Sequence, residues 1–304
     1  MQAETAPRWL HEDGDLTVAS EATNPGLRDA LAYRAELVAE TPSFSVFSRD
    51  GDTVVLHRLR PAEVDNDLAE LVAGELVRPG YVTLPDAFER CFAGVILSSA
   101  ADAGEAWGAF YENTLAGLER AASESSSADN GCPIEVFGRI YAHARSLVAG
   151  SSLLDVGTCF GFFPLLLQRL EPRLEVTAVD LSQPMIDLAR NAAARGPGAA
   201  GFVPGDARSL PFADGSFDTV TALHLLEHLE PASAKVALEE MRRVARRRVI
   251  VAVPLEDEPD LAYGHLQSFD RESLMELARS TGWRCSFEEY LGGWAVLEPS
   301  RAAP

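Results

Sequence analysis

Three short segments of this 304-residue sequence carry groups at spacings that could do chemistry. In LLDVGTCFGFF an apolar run ends at Asp155-Val156-Gly157, and a helical pattern opens at Gly161. Glycine at such a junction lets a ligand come close to the backbone and adopts positive φ at little cost. A tight strand-to-helix turn is the lesser competing explanation of D-x-G-x-x-x-G when nothing else agrees. In EVTAVDLS a second apolar run ends at Asp180, 25 residues after Asp155. A carboxylate there can accept hydrogen bonds from two vicinal ribose hydroxyls. The competing role, capping the next helix, falls to Ser182. The third group is histidines: His224 after FDTVTAL, His228 in LEHL and His265 in AYGHLQSFD. Each is a candidate proton acceptor.

The elements that must position these residues follow from periodicity. LLDVG, EVTAVD, FDTVTAL and VIVAVP read as buried strands with helical segments after most of them, and GFVPGD as a shorter strand between. That alternation predicts an α/β, Rossmann-like parallel sheet covered on both faces. RCSFEEYLGGWAVLEP predicts a closing antiparallel hairpin. Ahead of this lies different material. Residues 1–20 read as a loose arm and 25–40 as a helix. SFSVFSRDGDTVVLHRL reads as a hairpin turning at Asp50-Gly51, and residues 61–122 as helical throughout. SESSSADNG (123–131) is turn-rich and predicts a boundary. The expected organisation is an α+β lid or substrate region over 1–130 and a ligand-binding domain over 131–304. The segment PIEVFGRIYAHARSLV forms the bridging helix. The aromatics Trp107, Phe110 and Tyr111 read as core.

LLDVGTCFG, VTAVDLS, GDARSLPFADGSFDTV and LEHL, in this order and spacing, resemble class I S-adenosylmethionine-dependent methyltransferases, most of all the type 11 group acting on small molecules and lipids. The resemblance covers about residues 135–298 and implies a seven-stranded sheet with S-adenosylmethionine as cofactor. By it, Gly157, with Asp155, Thr158 and Gly161 around it, faces the methionine part of the cofactor. Asp180 binds the ribose hydroxyls and Leu181 packs on the adenine. Asp206 accepts from the adenine amino group with the Ala207 amide nearby, and the backbone around Leu223 and His224 lies near the reactive methyl. His224, His228 and His265 are the candidate catalytic residues, His224 leading; His228 serves equally well as a structural hydrogen-bonding group. The family often has glycine where Cys159 stands, and Phe160 is bulky, so the pocket wall is expected to be remodelled.

No N-P-P-[YF] segment follows the fourth strand; TALHLLEHL stands there. That tilts the acceptor toward oxygen, with carbon and amine acceptors open, and points to a small-molecule or sugar hydroxyl. DNGCPIEVFGRIYAHARSLV with DVGTCFGF is also similar to actinobacterial methyltransferases acting on the mycofactocin oligosaccharide. A net charge of −20 argues against a nucleic-acid partner. No apolar run reaches the roughly 20 residues of a membrane span, and the start lacks a secretory pattern, so the expected location is cytoplasmic. Cys91, Cys132, Cys159 and Cys285 form no C-x-x-C pair and read as reduced buried thiols. No metal ligand is assigned. The run Glu256, Asp257, Glu258, Asp260 reads as a solvated loop in preference to the divalent-ion site that the resemblance to some sugar-directed methyltransferases would imply. The cluster Arg242, Arg243, Arg246, Arg247, Arg248 reads as the end of a helix meeting its dipole. Two rival functions remain: a nucleotide-dependent oxidoreductase, disfavoured because the turn lacks the middle glycine of G-x-G-x-x-G, and a non-catalytic cofactor-binding or scaffolding protein.

Overall fold

A computed structural model describes residues 10–123, 132–196 and 200–300. The chain divides into two compact units, residues 1–120 with 125–135, and residues 121–124 with 136–304. Of the turn-rich boundary segment only Ser123, the last residue of a helix, is among the described residues.

The first unit holds five strands, β1 (Leu10–Asp13), β2 (Leu16–Ser20), β3 (Glu36–Glu40), β4 (Phe44–Arg49) and β5 (Asp52–His57), in the order β1-β2-β5-β4-β3. The pair β2 and β5 is parallel and the other neighbours are antiparallel. The β4–β5 turn is built as expected, with Asp50 and Gly51 both at positive φ, 54° and 97°. Other expectations fail. Residues 10–20 are a hairpin rather than an arm, because Leu16, Val18 and Ala19 are fully buried; residues 1–9 lie outside the described residues. Only α1 (Leu27–Ala32) of the expected 25–40 helix is helical. Glu36–Glu40 instead completes the sheet edge against β4, so ladder hydrogen bonds override a weak helical pattern. The 61–122 stretch is helical in pieces. It forms α2 (Leu68–Val72), a π-helical turn over Ala73–Val77, α3 (Ala87–Leu97) and α4 (Ala103–Ser123). Breaks fall at Pro79-Gly80, at Pro85 and over Ser98–Asp102.

The second unit takes α5 (Pro133–Leu147) from Val136 onward and runs through β6 (Ser152–Val156), α6 (Phe162–Leu170), β7 (Glu175–Asp180), α7 (Gln183–Ala193), β8 (Gly201–Pro204), β9 (Phe217–Leu223), α8 (Pro231–Val244), β10 (Ala245–Val253), α9 (Arg271–Ser280), β11 (Arg284–Glu289) and β12 (Gly293–Glu298). These strands form one seven-stranded sheet in the order β11-β12-β10-β9-β6-β7-β8. Only β12 runs antiparallel to its neighbours β10 and β11; the other pairs are parallel. Period-two alternation splits the strand side chains between two cores. Leu154, Val249 and Val251 pack under Leu238, Met241 and Leu274 on one face, and Leu153, Ile250 and Ala252 pack with Ile140, Ala144, Phe163 and Leu167 on the other. The chain leaves β6 toward β7 on one side and later returns to β9 on the other. That reversal opens a crevice at the carboxyl ends of these strands.

The arginine cluster differs from expectation in two ways. Arg242 and Arg243 end α8, but Arg246, Arg247 and Arg248 belong to β10. Carboxylates hold all five: Arg242 pairs with Glu239, Arg243 with Glu240 and Asp214, Arg246 and Arg247 with Asp218, and Arg248 with Glu298. Among the cysteines, Cys91 is buried, Cys132 and Cys285 are half-buried and Cys159 is exposed, in a turn at φ 50°. Among the described residues no helix is long and apolar enough to cross a membrane.

Candidate functional site

The crevice is built from the carboxyl ends of β6, β7 and β9. After Val156 the chain turns through Gly157 (φ 73°), Cys159 (φ 50°) and Gly161 (φ 73°), the last standing immediately before α6. The amides of Gly157 and Thr158 both donate to the Val179 carbonyl, at 2.8 and 3.1 Å, which pins the turn across the β7 end. A Cβ on Gly157 would lie 2.6 Å from Leu225, and one on Gly161 2.6 Å from Phe202. Close packing by these side chains, together with positive φ, therefore requires the two glycines, where the sequence suggested room for a ligand.

Two acids face this turn. Asp155 is buried and accepts a 2.7 Å hydrogen bond from the Thr221 hydroxyl on β9. Burial pushes its carboxyl up to about 6, and the nearby charge of Asp180 adds to the rise. Asp180 is half-buried at the end of β7. Its Oδ2 accepts from the Cys159 amide and its Oδ1 from the Ser182 amide, both at 2.8 Å. A carboxylate offers about four lone-pair sites, so two remain for outside donors while the backbone holds the group still. Ser182 caps α7 by accepting from the Met185 amide, which leaves Asp180 clear of that duty. Beside it Leu181 is 72% exposed, an apolar platform at the end of a strand. These features fit a ribose held at Asp180 and a base resting on Leu181.

Asp206 is placed differently from the sequence reading. It follows β8, but both its oxygens are taken by Arg208, whose Nε reaches each at 3.0 Å and whose Nη2 reaches Oδ2 at 2.6 Å, and Oδ1 also accepts the Arg208 amide. The Arg208 guanidinium holds the carboxyl below its usual range. Accepting from an adenine amino group requires this half-exposed arginine to swing away. Ala207, next to it, is half-buried.

Leu223 ends β9, and the amide of His224 continues the strand by donating to the Ala252 carbonyl at 2.9 Å. His224 then sits at φ 56°, a conformation unfavourable for a residue with a Cβ. Its ring lies edge-on to Phe137, centroids 5.3 Å apart, and its Nδ1 is 3.3 Å from Glu227 Oε1. Phe137 in turn neighbours Tyr141, which packs against Phe163, and burial with the Asp155 charge raises the Tyr141 phenol. A short 3-10 turn over Leu226–His228 follows. The loop after β10 is tied to it: the Leu266 amide donates to the Glu227 carbonyl at 2.8 Å, and Gln267 Nε2 donates to the carbonyls of Leu226 and Leu229. His265 is thereby buried beside His228, ring centroids 5.0 Å apart, with its Nδ1 2.9 Å from Glu256 Oε2. The structure thus brings all three histidines to the carboxyl end of β9. It also adds residues given no role from sequence: Glu227, whose position at i+3 from His224 was the available signal, and Tyr141, whose helix carried none. Glu256, read as part of a solvated acidic run, is in fact a partner of His265. A cavity of about 330 Å³ lined by Arg145, Ser151, Arg173 and Leu174 lies at the opposite, amino edge of β6 and β7.

Residues 154–253 match the family model described as a methyltransferase domain. A demethylmenaquinone methyltransferase of Thermotoga maritima is 35% identical over 96 residues, covering 32% of this chain and 39% of that protein. A ubiquinone/menaquinone biosynthesis C-methyltransferase UbiE of Desulfotalea psychrophila is 32% identical over 143 residues, covering 46% and 56%. The chain thus spans roughly half or less of the length of these relatives. Among solved structures, the PH0226 protein of Pyrococcus horikoshii aligns with 58% of this chain and 93% of its own at 22% identity and a TM-score of 0.46. The matched segment runs from within β6 to the end of β10 and includes Asp155, Asp180 and Asp206. Over residues 154–253 this chain is therefore similar to methyltransferase domains.

Proposed function

We propose that this chain is a methyltransferase that moves the methyl group of S-adenosylmethionine to a hydroxyl of a small molecule or sugar held at the carboxyl end of β9. The observation that supports it is the pair Asp155 and Asp180 on adjacent strand ends, one buried and short of positive charge, the other fixed by two amides with lone pairs to spare. Asp180 holds the ribose hydroxyls and Leu181 the adenine. Gly157, Thr158 and Gly161 shape the turn, and Asp155 supplies negative charge toward a cationic methionine moiety. When bound, the cofactor would supply a sulfonium-activated methyl group open to in-line attack by an acceptor oxygen, with the thioether as leaving group. The protein contributes alignment and takes the hydroxyl proton. His224 serves as that base: with Nδ1 turned to Glu227 its Nε2 stays free to accept. His265, oriented by Glu256, is the alternative. Residues 1–130 serve as the lid or substrate region in this reading. The mycofactocin oligosaccharide is the sugar acceptor the sequence resemblance favours.

A second reading has one specific support. The Desulfotalea relative is named a C-methyltransferase, so a carbon acceptor in a hydroxylated ring uses the same base with the proton removed from oxygen or carbon. Calorimetric titration of S-adenosylhomocysteine, and separately of NAD, tests the cofactor step; micromolar binding of the first alone is expected, and binding of NAD alone refutes it. Transfer of labelled methyl to a panel of sugars and quinols then separates oxygen from carbon acceptors. His224→Ala is expected to lower turnover far more than S-adenosylhomocysteine affinity. Equal loss in both assigns His224 a structural role. Retained binding without transfer to any acceptor favours a non-catalytic protein.

A further inference from the structure

Glu227 is 0% exposed, yet neither carboxylate oxygen has a hydrogen-bond partner. Among the described residues its only ion-pair contact is His224 Nδ1 at 3.3 Å, on a ring that carries charge only when protonated. A buried carboxylate without donors is strongly unfavourable unless a cation meets it. Two further imidazoles stand beside it. One ligand atom from each of Glu227, His228 and His265 lies within 4.8 Å of the others. His265 is buried and its Nδ1 faces Glu256, so the donor it has free is Nε2. A carboxylate behind a ligating histidine is the usual outer support of a bound metal, fixing tautomer and ring orientation. His228 is exposed, so the site opens to solvent on one side.

We infer that Glu227, His228 and His265 form a binding site for one divalent transition ion of the zinc type, with Glu256 orienting His265 and a coordination position left for an outside oxygen. Two imidazoles and one carboxylate suit zinc, cobalt or manganese better than magnesium, which prefers oxygen ligands and keeps its waters. An ion about 2 Å from each ligand needs its donors roughly 3 to 4 Å apart. Rotation of the exposed His228 provides that contraction, while the hydrogen bonds from Leu266 and Gln267 keep the two loops together. The site needs no contribution from the cofactor. Its consequence for catalysis does rest on the methyltransferase reading. Beside Leu223 and His224 the open position would take a hydroxyl oxygen of the acceptor and ease loss of its proton.

The test uses the full chain stripped with a chelator and dialysed. Zinc, manganese and magnesium are titrated separately by calorimetry, and cobalt by its visible ligand-field absorption. One equivalent of zinc and a cobalt spectrum with nitrogen ligands are expected, with much weaker magnesium binding. Glu227→Gln and His265→Ala should each abolish the cobalt band, and Glu256→Gln should weaken zinc by about 10- to 100-fold as an outer partner. His228→Gln, at an exposed side chain, guards against misfolding of the buried variants and should also lose the band. Absence of zinc and cobalt binding, or binding unchanged in Glu227→Gln, His228→Gln and His265→Ala, overturns the site. S-adenosylhomocysteine affinity is measured on the same samples. Its survival with metal lost, or its loss with metal retained, separates failure of one reading from failure of the other.

Discussion

Replacing Asp155 by asparagine should stabilise the protein at neutral pH and should do so less in acid. The carboxyl stands at about 6 in the fold against 3.8 for the free group. An asparagine side chain keeps the acceptor that the Thr221 hydroxyl uses and removes the charge that burial disfavours. Because the folded value is raised, the native state binds the extra proton. The wild type therefore loses stability from this group as pH rises from about 4 through about 6. At about 1.4 kcal/mol per pKa unit the ionised aspartate costs on the order of 3 kcal/mol above pH 7, about half of that at pH 5 and little near pH 4. Urea unfolding followed by tryptophan fluorescence reads the difference, since Trp294 in β12 is 1% exposed beside β10. The packing of the substituted amide contributes equally at all pH values, so the change between about pH 5 and pH 7.5 isolates the charge. A difference that does not vary with pH, or a variant less stable at the higher pH, refutes the argument that this carboxylate is held against its own solvation. The same variant should bind S-adenosylhomocysteine more weakly, the usual exchange of function for stability at a binding site.

Asp180→Ala should weaken S-adenosylhomocysteine binding by about 1–3 kcal/mol, because charge-assisted hydrogen bonds to a ribose are lost; calorimetry showing unchanged affinity removes the ribose assignment. Arg208→Ala should tighten binding several-fold by releasing both oxygens of Asp206 for the adenine, and equal or weaker affinity argues that Asp206 serves only its arginine. In the first unit, burial pushes the His57 imidazole down to about 4, with Ser98 3.0 Å from Nε2. Its folded value lies below the unfolded one, so stability from this group is present above about pH 6.5 and lost as pH falls toward 4. His57→Gln should flatten that acid loss in urea titrations, and an unaltered acid slope refutes it.

The parts legible in the sequence are those whose signal is local. Asp50-Gly51 between alternating runs specifies a two-residue turn whatever surrounds it, and β4 and β5 follow. The runs that became β6, β7, β9 and β10 are apolar on both faces because helices cover both, so their order could be read as a parallel sheet. The Asp155 and Asp180 strand ends came with them. β3 was not legible, because Glu36–Glu40 is a strand only through its ladder with β4 and leaves Leu37 and Val38 half exposed. Nor was the first hairpin, whose short strands are defined by β5 and α3 packing on β2. At the site, the missing information was which charges meet. Arg208 lies two residues from Asp206, a spacing that predicts nothing about its fork closing on both oxygens.

The distribution of charge at the two edges of the sheet follows one rule. With 46 acidic and 26 basic residues the chain has too few cations to neutralise its acids. Several arginines are committed at or near the amino edge, where Arg246 and Arg247 hold Asp218 at the start of β9 and Arg243 holds Asp214 just before it. At the carboxyl edge Arg208 answers Asp206, but among the described residues neither Asp155 nor Glu227 has an arginine or lysine within ion-pair distance. Both are buried, and burial without a counter-charge is the more expensive arrangement for a carboxylate. Packed apolar residues of similar size would stabilise such positions better. Their presence at the edge where an open α/β sheet receives ligands is what the proposed cationic ligands would answer. On the proposed readings, the missing positive charge is carried for Asp155 by the sulfonium and amino groups of the cofactor, and for Glu227 by a metal ion.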